Sequence, residues 1–388
     1  MTDYWDKITN SGIKGISTIG ISDIIGNGIS AGFWFYLASL MTAENYGQIS
    51  YFIAIGGIAT TISLIGSTNT LTVHTAKNLK TESTLYITSL IITAISAIVV
   101  AIIFYNTEIM AYIFGAVIFG LSSSEILGKK LYKSYSKYII IQKLLMVGLA
   151  IGFYNLIGIN GVILGLGLGF LPYSIRLYKG FKNTKIDFSL LKKHSGFISY
   201  NYILSLATTF SGHFDKIIIV PILGFAILGN YALAIQLLAI LEMIPGIIFK
   251  YILPHDATGN PNRKLKQVTI ISSIGLAGMG IIISPIIIPV LFPKYIEAIE
   301  VFQIVSVSII PTTISFTITS KILGLEKSKL LIISSGIYLI SQITLIVVLG
   351  QIYGITGIAV AFVIAVSIQT IILIYIDKFL LKKIKDRQ

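Results

Sequence analysis

The chain has 388 residues, of which 55% are hydrophobic and only 12% charged, and its mean hydropathy is +0.87. A soluble chain carries about a quarter charged residues, so this composition excludes a soluble domain and predicts an integral membrane protein. The absence of cysteine excludes disulfides and thiolate metal sites. The net charge of +13 raises the alternative of nucleic-acid binding, which the placement of the charges then decides against.

Apolar runs of about 20 residues, long enough to cross a hydrocarbon core, recur along the whole chain. Before the first run, residues 3–15 mix Trp and Ile with charged residues and predict a short interfacial helix. No early run is followed by a small-residue cleavage site, so no removable signal peptide is expected. Twelve membrane-spanning helices are predicted, at 16–40, 46–66, 84–104, 108–127, 138–156, 158–177, 197–220, 227–249, 268–291, 298–321, 329–350 and 354–376.

A basic, polar stretch at the midpoint divides these spans into six and six. The predicted organisation is an N-terminal six-helix lobe (1–178), a basic cytoplasmic linker (179–196) and a C-terminal six-helix lobe with a basic tail (197–388). With the N-terminus in the cytoplasm, 26 of the 29 lysines and arginines fall in inner segments. This is the positive-inside pattern of a multi-pass protein of the cytoplasmic membrane, with attraction to anionic lipid, and it predicts that both termini are cytoplasmic. It excludes a nucleic-acid patch.

Short glycine motifs recur at two fixed shifts. At a shift of 196 residues, Ile126-Leu127-Gly128 and Gly158-Ile159-Asn160-Gly161 match Ile322-Leu323-Gly324 and Gly354-Ile355-Thr356-Gly357. At a shift of 182 residues, Leu40-x6-Gly47-Gln48 matches Ile222-x6-Gly229-Asn230. Because the pairs fall at equivalent places in the two lobes, they predict a 6+6 pseudo-two-fold repeat. Such a repeat is far more typical of carriers than of enzymes.

Motifs of membrane enzymes and ATPases are missing from the sequence. The predicted outer loops are too short for a catalytic domain, and no G-x-x-x-x-G-K-[ST] or H-E-x-x-H motif occurs. The four histidines lie too far apart in sequence to predict a metal cluster. We therefore expect a protein that is not an enzyme and that needs no metal or organic cofactor.

Polar side chains inside the spans are the candidate substrate and ion pathway, because a charge there costs about 2.5–3.5 kcal/mol on insertion scales. The candidates are Asp23, Asn27, Lys143, His213, Asp215, Lys216, Gln236 and Glu242. By depth, Asp23, Lys143 and Glu242 form an inner level. His213, Asp215 and Lys216 form an outer level, ~10–15 Å away at the helical rise. The alternatives are an ion pair that only holds helices together, for Asp23, and snorkelling, for the two lysines.

Four further motifs bear on the family. They are Asp215-Lys216-Ile217-Ile218-Ile219, Leu223-Gly224, Gly229-Asn230-Tyr231-Ala232-Leu233-Ala234 and Gly354-Ile355-Thr356-Gly357. With twelve spans in two lobes, the chain resembles the polysaccharide flippase branch of the MOP superfamily, the Wzx-type oligosaccharide and O-antigen flippases related to MATE exporters. The resemblance implies an all-α MATE/MOP-like fold. Its function would be to move a polyprenyl-(pyro)phosphate-linked oligosaccharide to the outer leaflet by alternating access.

The resemblance also implies the partners and the cell-surface pathway. The partners would be the lipid-linked oligosaccharide, membrane lipid, and the glycosyltransferases or polymerase of polysaccharide biosynthesis. Relatives use a cationic cavity for the lipid pyrophosphate, and only Lys143 and Lys216 lie deep enough here to supply one. Without a nucleotide site, an H⁺ or Na⁺ gradient or consumption of the glycan would drive transport. Asp23 and Asp215 are the candidates for coupling to that gradient.

Two other classes of protein stay open at this point. A MATE-type ion-coupled exporter of small organic molecules would need an acidic pocket, which Asp23, Asp215 and Glu242 would supply. A membrane enzyme is disfavoured by the missing catalytic sets.

Overall fold

The computed structural model describes the backbone of residues 2–258, 261–325, 327 and 329–385; side chains are described from residue 18 to residue 378, apart from 19, 183, 190, 254 and 257 within those ranges. The regular secondary structure of this part of the chain is helical throughout. The helices are α1 (Thr2–Leu40), α2 (Ala43–Leu64), α3 (Ser67–Ala76), α4 (Glu82–Phe104), α5 (Glu108–Gly128), α6 (Tyr132–Ile157), α7 (Ile159–Leu168), α8 (Ser174–Asn183), α9 (Phe188–Lys193), α10 (Ser195–Ala257), α11 (Arg263–Leu291), α12 (Ala298–Ser306), α13 (Ile309–Gly324) and α14 (Lys329–Lys385).

Eight helical stretches in the described residues have the length and apolar character to cross a membrane. The number rises to nine if α12 and α13, which meet at a 40° bend, form one span. The predicted class, an all-α multi-pass membrane protein, is confirmed. The predicted interfacial helix at 3–15 is continuous with α1 in its backbone, and its side chains lie outside the described residues.

Two of the helices are too long to be single spans. Helices α10 and α14 contain 63 and 57 residues, and at a rise of ~1.5 Å per residue either would far exceed a ~30 Å hydrocarbon core. Each is interrupted by a glycine with non-helical backbone angles, Gly224 (φ 85°, ψ 176°) and Gly354 (φ 60°, ψ −135°). Residues with a Cβ rarely adopt such angles, so glycine marks the break in each helix.

The same break occurs between α6 and α7. Gly158 has φ 69° and ψ −141°, close to the angles of Gly354, which lies 196 residues later. The glycine-containing motifs that follow thus begin with the same change of chain direction.

The next glycine of each motif also makes the same contact. A Cβ on Gly161 would lie 2.1 Å from the carbonyl oxygen of Phe153, and one on Gly357 would lie 2.0 Å from that of Leu349. Phe153 and Leu349 are themselves 196 residues apart. In both places glycine is needed because the helix returns directly against the backbone it has just left.

The second repeat describes one reciprocal contact. A Cβ on Gly47 would lie 1.9 Å from the carbonyl oxygen of Phe225, and a Cβ on Gly229 would lie 1.8 Å from that of Ala43. Both pairs of positions, 43 with 225 and 47 with 229, are related by the 182-residue shift. Helices α2 and α10 therefore cross backbone to backbone, each with its glycine against the other's first turn.

The chain forms two compact units, 1–36 with 52–209 and 37–51 with 210–388. These units differ from the predicted lobes at two stretches, since 37–51 belongs with the second unit and 197–209 with the first. The core of the first unit contains Leu64, Leu71, Leu85, Tyr86, Val117, Leu121 and Leu177. A cluster in the second unit is built on Ile322 and Leu373.

One helix lies where the sequence predicts a loop. Helix α2 ends at Leu64, the backbone turns at Ile65 and Gly66, both with positive φ, and α3 follows at once. The sequence of α3 is rich in Thr, Ser and His, so its low hydropathy conceals a helix whose Ser67, Thr70, Leu71, His74 and Thr75 are buried.

Candidate substrate and ion pathway

In the first unit, Asp23 is held by a hydrogen bond between helices. The Tyr135 hydroxyl on α6 donates to Asp23 Oδ1 on α1 over 3.2 Å. One residue along each helix, Ser136 Oγ donates to the Thr18 carbonyl and contacts Ser22 Oγ, both at 3.0 Å. These contacts form a polar strip between two otherwise apolar helices, and Asp23 is its one ionisable carboxyl.

Lys143 lies on the same pair of helices but does not pair with Asp23. The Lys143 stem passes Gly26, where an added Cβ would lie 3.7 Å from Lys143 Cγ. None of the ion pairs formed by the described residues includes Lys143, although the side chain is partly buried. Asn27, also predicted to line the pathway, is exposed. The first unit therefore offers an ammonium group that no carboxylate neutralises, close to a carboxyl that a phenol holds.

In the second unit, Asp215 is the centre of a buried cluster. Its carboxylate accepts hydrogen bonds from the Tyr231 hydroxyl (3.1 Å), the Lys216 backbone N–H (2.8 Å) and Lys216 Nζ (3.2 Å). Lys216 Nζ also donates to the Gly212 carbonyl, over 3.1 Å. Asp215 is only 6% exposed and Tyr231 is fully buried. Nearby His213 has a buried Nδ1 with no hydrogen-bond partner among the described residues.

Tyr338 of α14 brings a second acid into this cluster. It interacts electrostatically with both Asp215 and Glu242, and the Thr312 side chain of α13 hydrogen-bonds to Glu242. Gln236 lies on α10 between Tyr231 and Glu242 and is partly buried. Three helices, α10, α13 and α14, thus bring carboxyl, phenol and hydroxyl groups together inside the second unit.

The sequence therefore located the charged members of each cluster but missed the tyrosines that hold them. Tyr135, Tyr231 and Tyr338 carry no charge, and tyrosine is common in apolar helices, so composition gives no signal for them. Tyr231 could have been found because it follows Gly229 and Asn230 in the second repeat.

The two clusters share a chemistry. In each, a carboxyl group on a span accepts a hydrogen bond from a tyrosine of the same unit, and a lysine lies on the same or a neighbouring helix. A carboxyl in such surroundings can exchange its phenol partner for a proton or a monovalent cation. Among the described residues, no three His, Cys, Asp or Glu side chains come together as metal ligands.

Comparison by sequence finds no matching family model and no matching curated protein. Comparison by structure finds a multidrug resistance MATE family transporter of the MOP superfamily in an inward-facing conformation, with a TM-score of 0.75 at 12% identity over 96% of this chain and 99% of that one. It also finds the lipid II flippase MurJ in an inward closed conformation, with a TM-score of 0.76 at 14% identity over 93% of this chain and 87% of that one. A MATE protein in complex with MaL6 is similar with a TM-score of 0.66 at 13% identity, over 96% and 97% of the two chains.

These similarities extend over nearly the whole of each chain at identities that sequence comparison does not detect. The helices described above, including the breaks at Gly158 and Gly354, belong to an architecture found in both drug exporters and a lipid-linked flippase. The chain therefore has the fold of the MATE and MurJ proteins of the MOP superfamily.

Proposed function

We propose that the chain is a flippase that carries a polyprenyl-(pyro)phosphate-linked oligosaccharide from the cytoplasmic to the outer leaflet of the cell membrane, for cell-surface polysaccharide synthesis. The observation that carries this proposal is the presence, in each compact unit of a transporter fold, of a carboxyl and a lysine on apolar helices. Such groups are costly in a membrane and are retained where a polar substrate or ion must pass. Lipid II, which the MurJ protein flips, is a substrate of the same general kind.

The proposed architecture has twelve spans in two halves of six, with both termini in the cytoplasm. The breaks at Gly224 and Gly354 turn α10 and α14 into two spans each. Adding α1 and the bent α12–α13 pair to the spans counted by length and composition then gives twelve. The repeated glycine contacts at shifts of 196 and 182 residues support a duplication that relates the halves.

In the proposed mechanism, the lysines attract the phosphate of the substrate. Lys143 has no ion-pair partner among the described residues, and Lys216 pairs with Asp215, from which a phosphate would compete for it. The sugar hydroxyls need a polar path because unpaired hydroxyls in hydrocarbon are costly. The lipid tail needs no such path and would remain in the bilayer.

Asp23 and Asp215 are the proposed coupling groups, with H⁺ or Na⁺ as the coupled ion. Each carboxyl already accepts a tyrosine hydrogen bond, which a bound cation would displace. The two groups differ in access, since Asp23 is partly exposed and Asp215 is buried. We propose that the buried carboxyl changes its occupancy only when the second unit opens.

One observation favours a second candidate function, a MATE-type exporter of small organic cations. Asp215 and Glu242 both interact with Tyr338, and Tyr231 adds a second aromatic ring to the same cluster. Two acids among aromatic rings are suited to an organic cation. On this alternative, Lys216 would be the group that the substrate displaces from Asp215.

The two functions are separated by a leaflet-accessibility assay on lipid-linked glycan in a strain that lacks the gene. A flippase requires the glycan to accumulate on the cytoplasmic side and the wild-type gene to restore outward exposure. An exporter requires normal glycan exposure together with increased sensitivity to cationic drugs. Normal exposure in the deletion strain would contradict the flippase proposal.

Variants then assign the roles within the same assay. We expect Asp23→Asn and Asp215→Asn to abolish flipping while the protein remains folded in the membrane. Lys216→Gln should weaken substrate binding more than it alters ion dependence, and Lys216→Arg should retain most of the activity. Lys294→Gln, which removes an exposed lysine bonded to the Leu40 carbonyl, is the matched control. Full activity in both aspartate variants would show that coupling lies elsewhere.

A further inference from the structure

The stretch from Ser174 to Ser195 carries a surface that neither the pathway nor the core uses. Helix α8 packs against α4 through one stripe of residues. The Phe181 ring meets the Tyr86 ring edge-on, with centroids 5.3 Å apart, and a Cβ on Gly180 would lie 2.5 Å from the Tyr86 ring. Leu177, on the same stripe, is buried. This side of α8 is fully occupied by the first unit.

The opposite stripe of α8 is exposed and amphipathic. It consists of Ile175, Tyr178, Lys179 and Lys182, at the spacing i, i+3, i+4 and i+7 that places residues on one helix face. Ile175 is 56% exposed and Tyr178 is 70% exposed. Two large apolar side chains therefore lie beside two ammonium groups just where the sixth predicted span ends.

The chain after α8 is bonded to the first unit. The Ser83 backbone N–H donates to Thr184 Oγ1 over 3.0 Å, and Ser83 Oγ donates to the Thr184 carbonyl over 2.8 Å. The Asp187 backbone N–H donates to Thr84 Oγ1, again over 2.8 Å. The stretch 184–187 is thus held on the first turn of α4 and is not a free tether.

The held stretch continues the exposed, basic surface. Lys185, Ile186 and Phe188 are all exposed, with Ile186 at 51% and Phe188 at 59%. Lys192 and Lys193 follow on α9 and are also exposed. The aromatic and aliphatic side chains alternate with lysines through the whole stretch.

The charge of this surface is strongly one-sided. It carries five lysines, and Asp187 is the one acid in residues 174–195 of the sequence. The Asp187 carboxylate accepts hydrogen bonds from Ser189 N (2.9 Å) and Ser189 Oγ (2.6 Å). None of the five lysines takes part in an ion pair recorded among the described residues.

We propose that this linker surface, defined as the exposed side chains of Ile175, Tyr178, Lys179, Lys182, Lys185, Ile186, Phe188, Lys192 and Lys193, docks onto the headgroups of anionic phospholipids in the leaflet that it faces. The apolar side chains enter the interfacial region, and the lysine stems extend from it so that their ammonium groups reach the phosphates. Because the backbone is already held by Ser83 and Thr84, docking orders little new chain. Each lysine near such a surface strengthens binding about five-fold.

The test uses the full-length protein reconstituted in vesicles. Because the chain has no cysteine, Ile186→Cys gives one unique site for an environment-sensitive fluorophore. Quenching is compared between vesicles with 20 mol% brominated phosphatidylglycerol and vesicles with 20 mol% brominated phosphatidylcholine. We expect quenching by the anionic lipid to be at least about three-fold stronger. Lys182→Gln with Lys185→Gln, in the labelled background, should bring the ratio close to one.

The matched control removes two exposed basic residues elsewhere, Arg263→Gln with Lys264→Gln, and should leave the ratio unchanged. A charge-preserving Lys182→Arg, Lys185→Arg variant should also keep it. Equal quenching by the two lipids in the labelled protein with its lysines intact would overturn the proposal, as would no quenching by either lipid. An equal loss in the control pair would show a general effect of charge and also overturn it. Abolition of the preference by inorganic pyrophosphate at constant ionic strength would assign the surface to a soluble phosphate instead.

Discussion

Residues 108–183 and 309–385 share their glycine geometry but carry ion pairs of opposite sign. In the first stretch, Glu125 on α5 contacts Lys129 and also Arg176 on α8, with 3.8 Å between Oε1 and Nη2 of the latter pair. In the second, Lys321 on α13 contacts Asp377 on α14. Glu125 and Lys321 each directly precede an Ile-Leu-Gly motif. The backbone thus fixes where two helices are clamped, whereas either sign of charge can provide the clamp.

The two clamps also differ in burial. The Glu125 side chain is 2% exposed, whereas those of Lys321 and Asp377 are 31% and 22% exposed. A buried charge that loses its partner is far more costly than an exposed one. The clamp in 108–183 is therefore the one on which folding depends more strongly.

The largest expected effect comes from the feature that the two stretches share. Gly161→Ala and Gly357→Ala each place a Cβ about 2 Å from a backbone carbonyl oxygen, which should cost about 3 kcal/mol or prevent folding. Thermal unfolding of the purified protein measures this, and the two variants should lose similar amounts. Gly152→Ala and Gly336→Ala, where nothing lies within 4 Å, should change stability little. A loss at only one of the two motif glycines would contradict their equivalence.

The next effect comes from the feature in which the stretches differ. Glu125→Gln should cost about 3 kcal/mol because it leaves Arg176 without its buried counter-charge. Lys321→Gln should cost less than about 1 kcal/mol because its pair is partly solvated. Thermal unfolding again gives the order, with exposed Glu44→Gln as the control. Equal losses at the two clamps would mean that burial does not set their strength.

A smaller difference is expected between the tyrosines of the two polar clusters. Tyr231→Phe should cost about 2 kcal/mol because it removes a donor from buried Asp215, and Tyr135→Phe about 1 kcal/mol because Asp23 is partly exposed. Stability and the ion dependence of transport are both measured, with Tyr105→Phe as an exposed control. A shift in ion dependence without loss of stability would sharpen the coupling proposal.

The smallest effect concerns pH. Burial, followed by the nearby His194 and Lys77, lowers the pKa of His74, which lies on α3 outside the candidate spans. The neutral ring, held 3.1 Å from Thr81 Oγ1, therefore contributes stability above the ordinary pKa of about 6.5, which is lost as pH falls through the lowered value. Unfolding temperatures at pH 7 and pH 5 should differ less in His74→Gln than in wild type. His255→Gln should leave the difference as it was.

Much of this molecule could be predicted from local sequence. Hydropathy located the apolar helices, and the repeated glycines marked the breaks and close contacts that the structure has at Gly158 and Gly354. Both properties are visible in sequence because a span must be apolar along its length and a tight backbone approach excludes a Cβ.

The remaining features depend on which residues meet in space. The bonds of Tyr135 to Asp23 and of Tyr231 to Asp215 join positions 112 and 16 residues apart, and no local pattern marks them. Helix α3 was missed because its polar residues are buried by neighbouring helices and not exposed to water. The stretch 184–187 has the composition of a loop, and only its bonds to Ser83 and Thr84 show that it is held.

The reciprocal crossing of α2 and α10 has a consequence for how such a chain could have arisen. Position 43 faces position 229 while position 225 faces position 47, so each helix offers the other the same patch that it receives. This is the geometry of an isologous interface, the kind that joins two identical subunits about a two-fold axis. On the proposed duplication, a half-length ancestor would have formed this contact as a homodimer. Fusion of two copies would then have preserved an interface that each copy already carried.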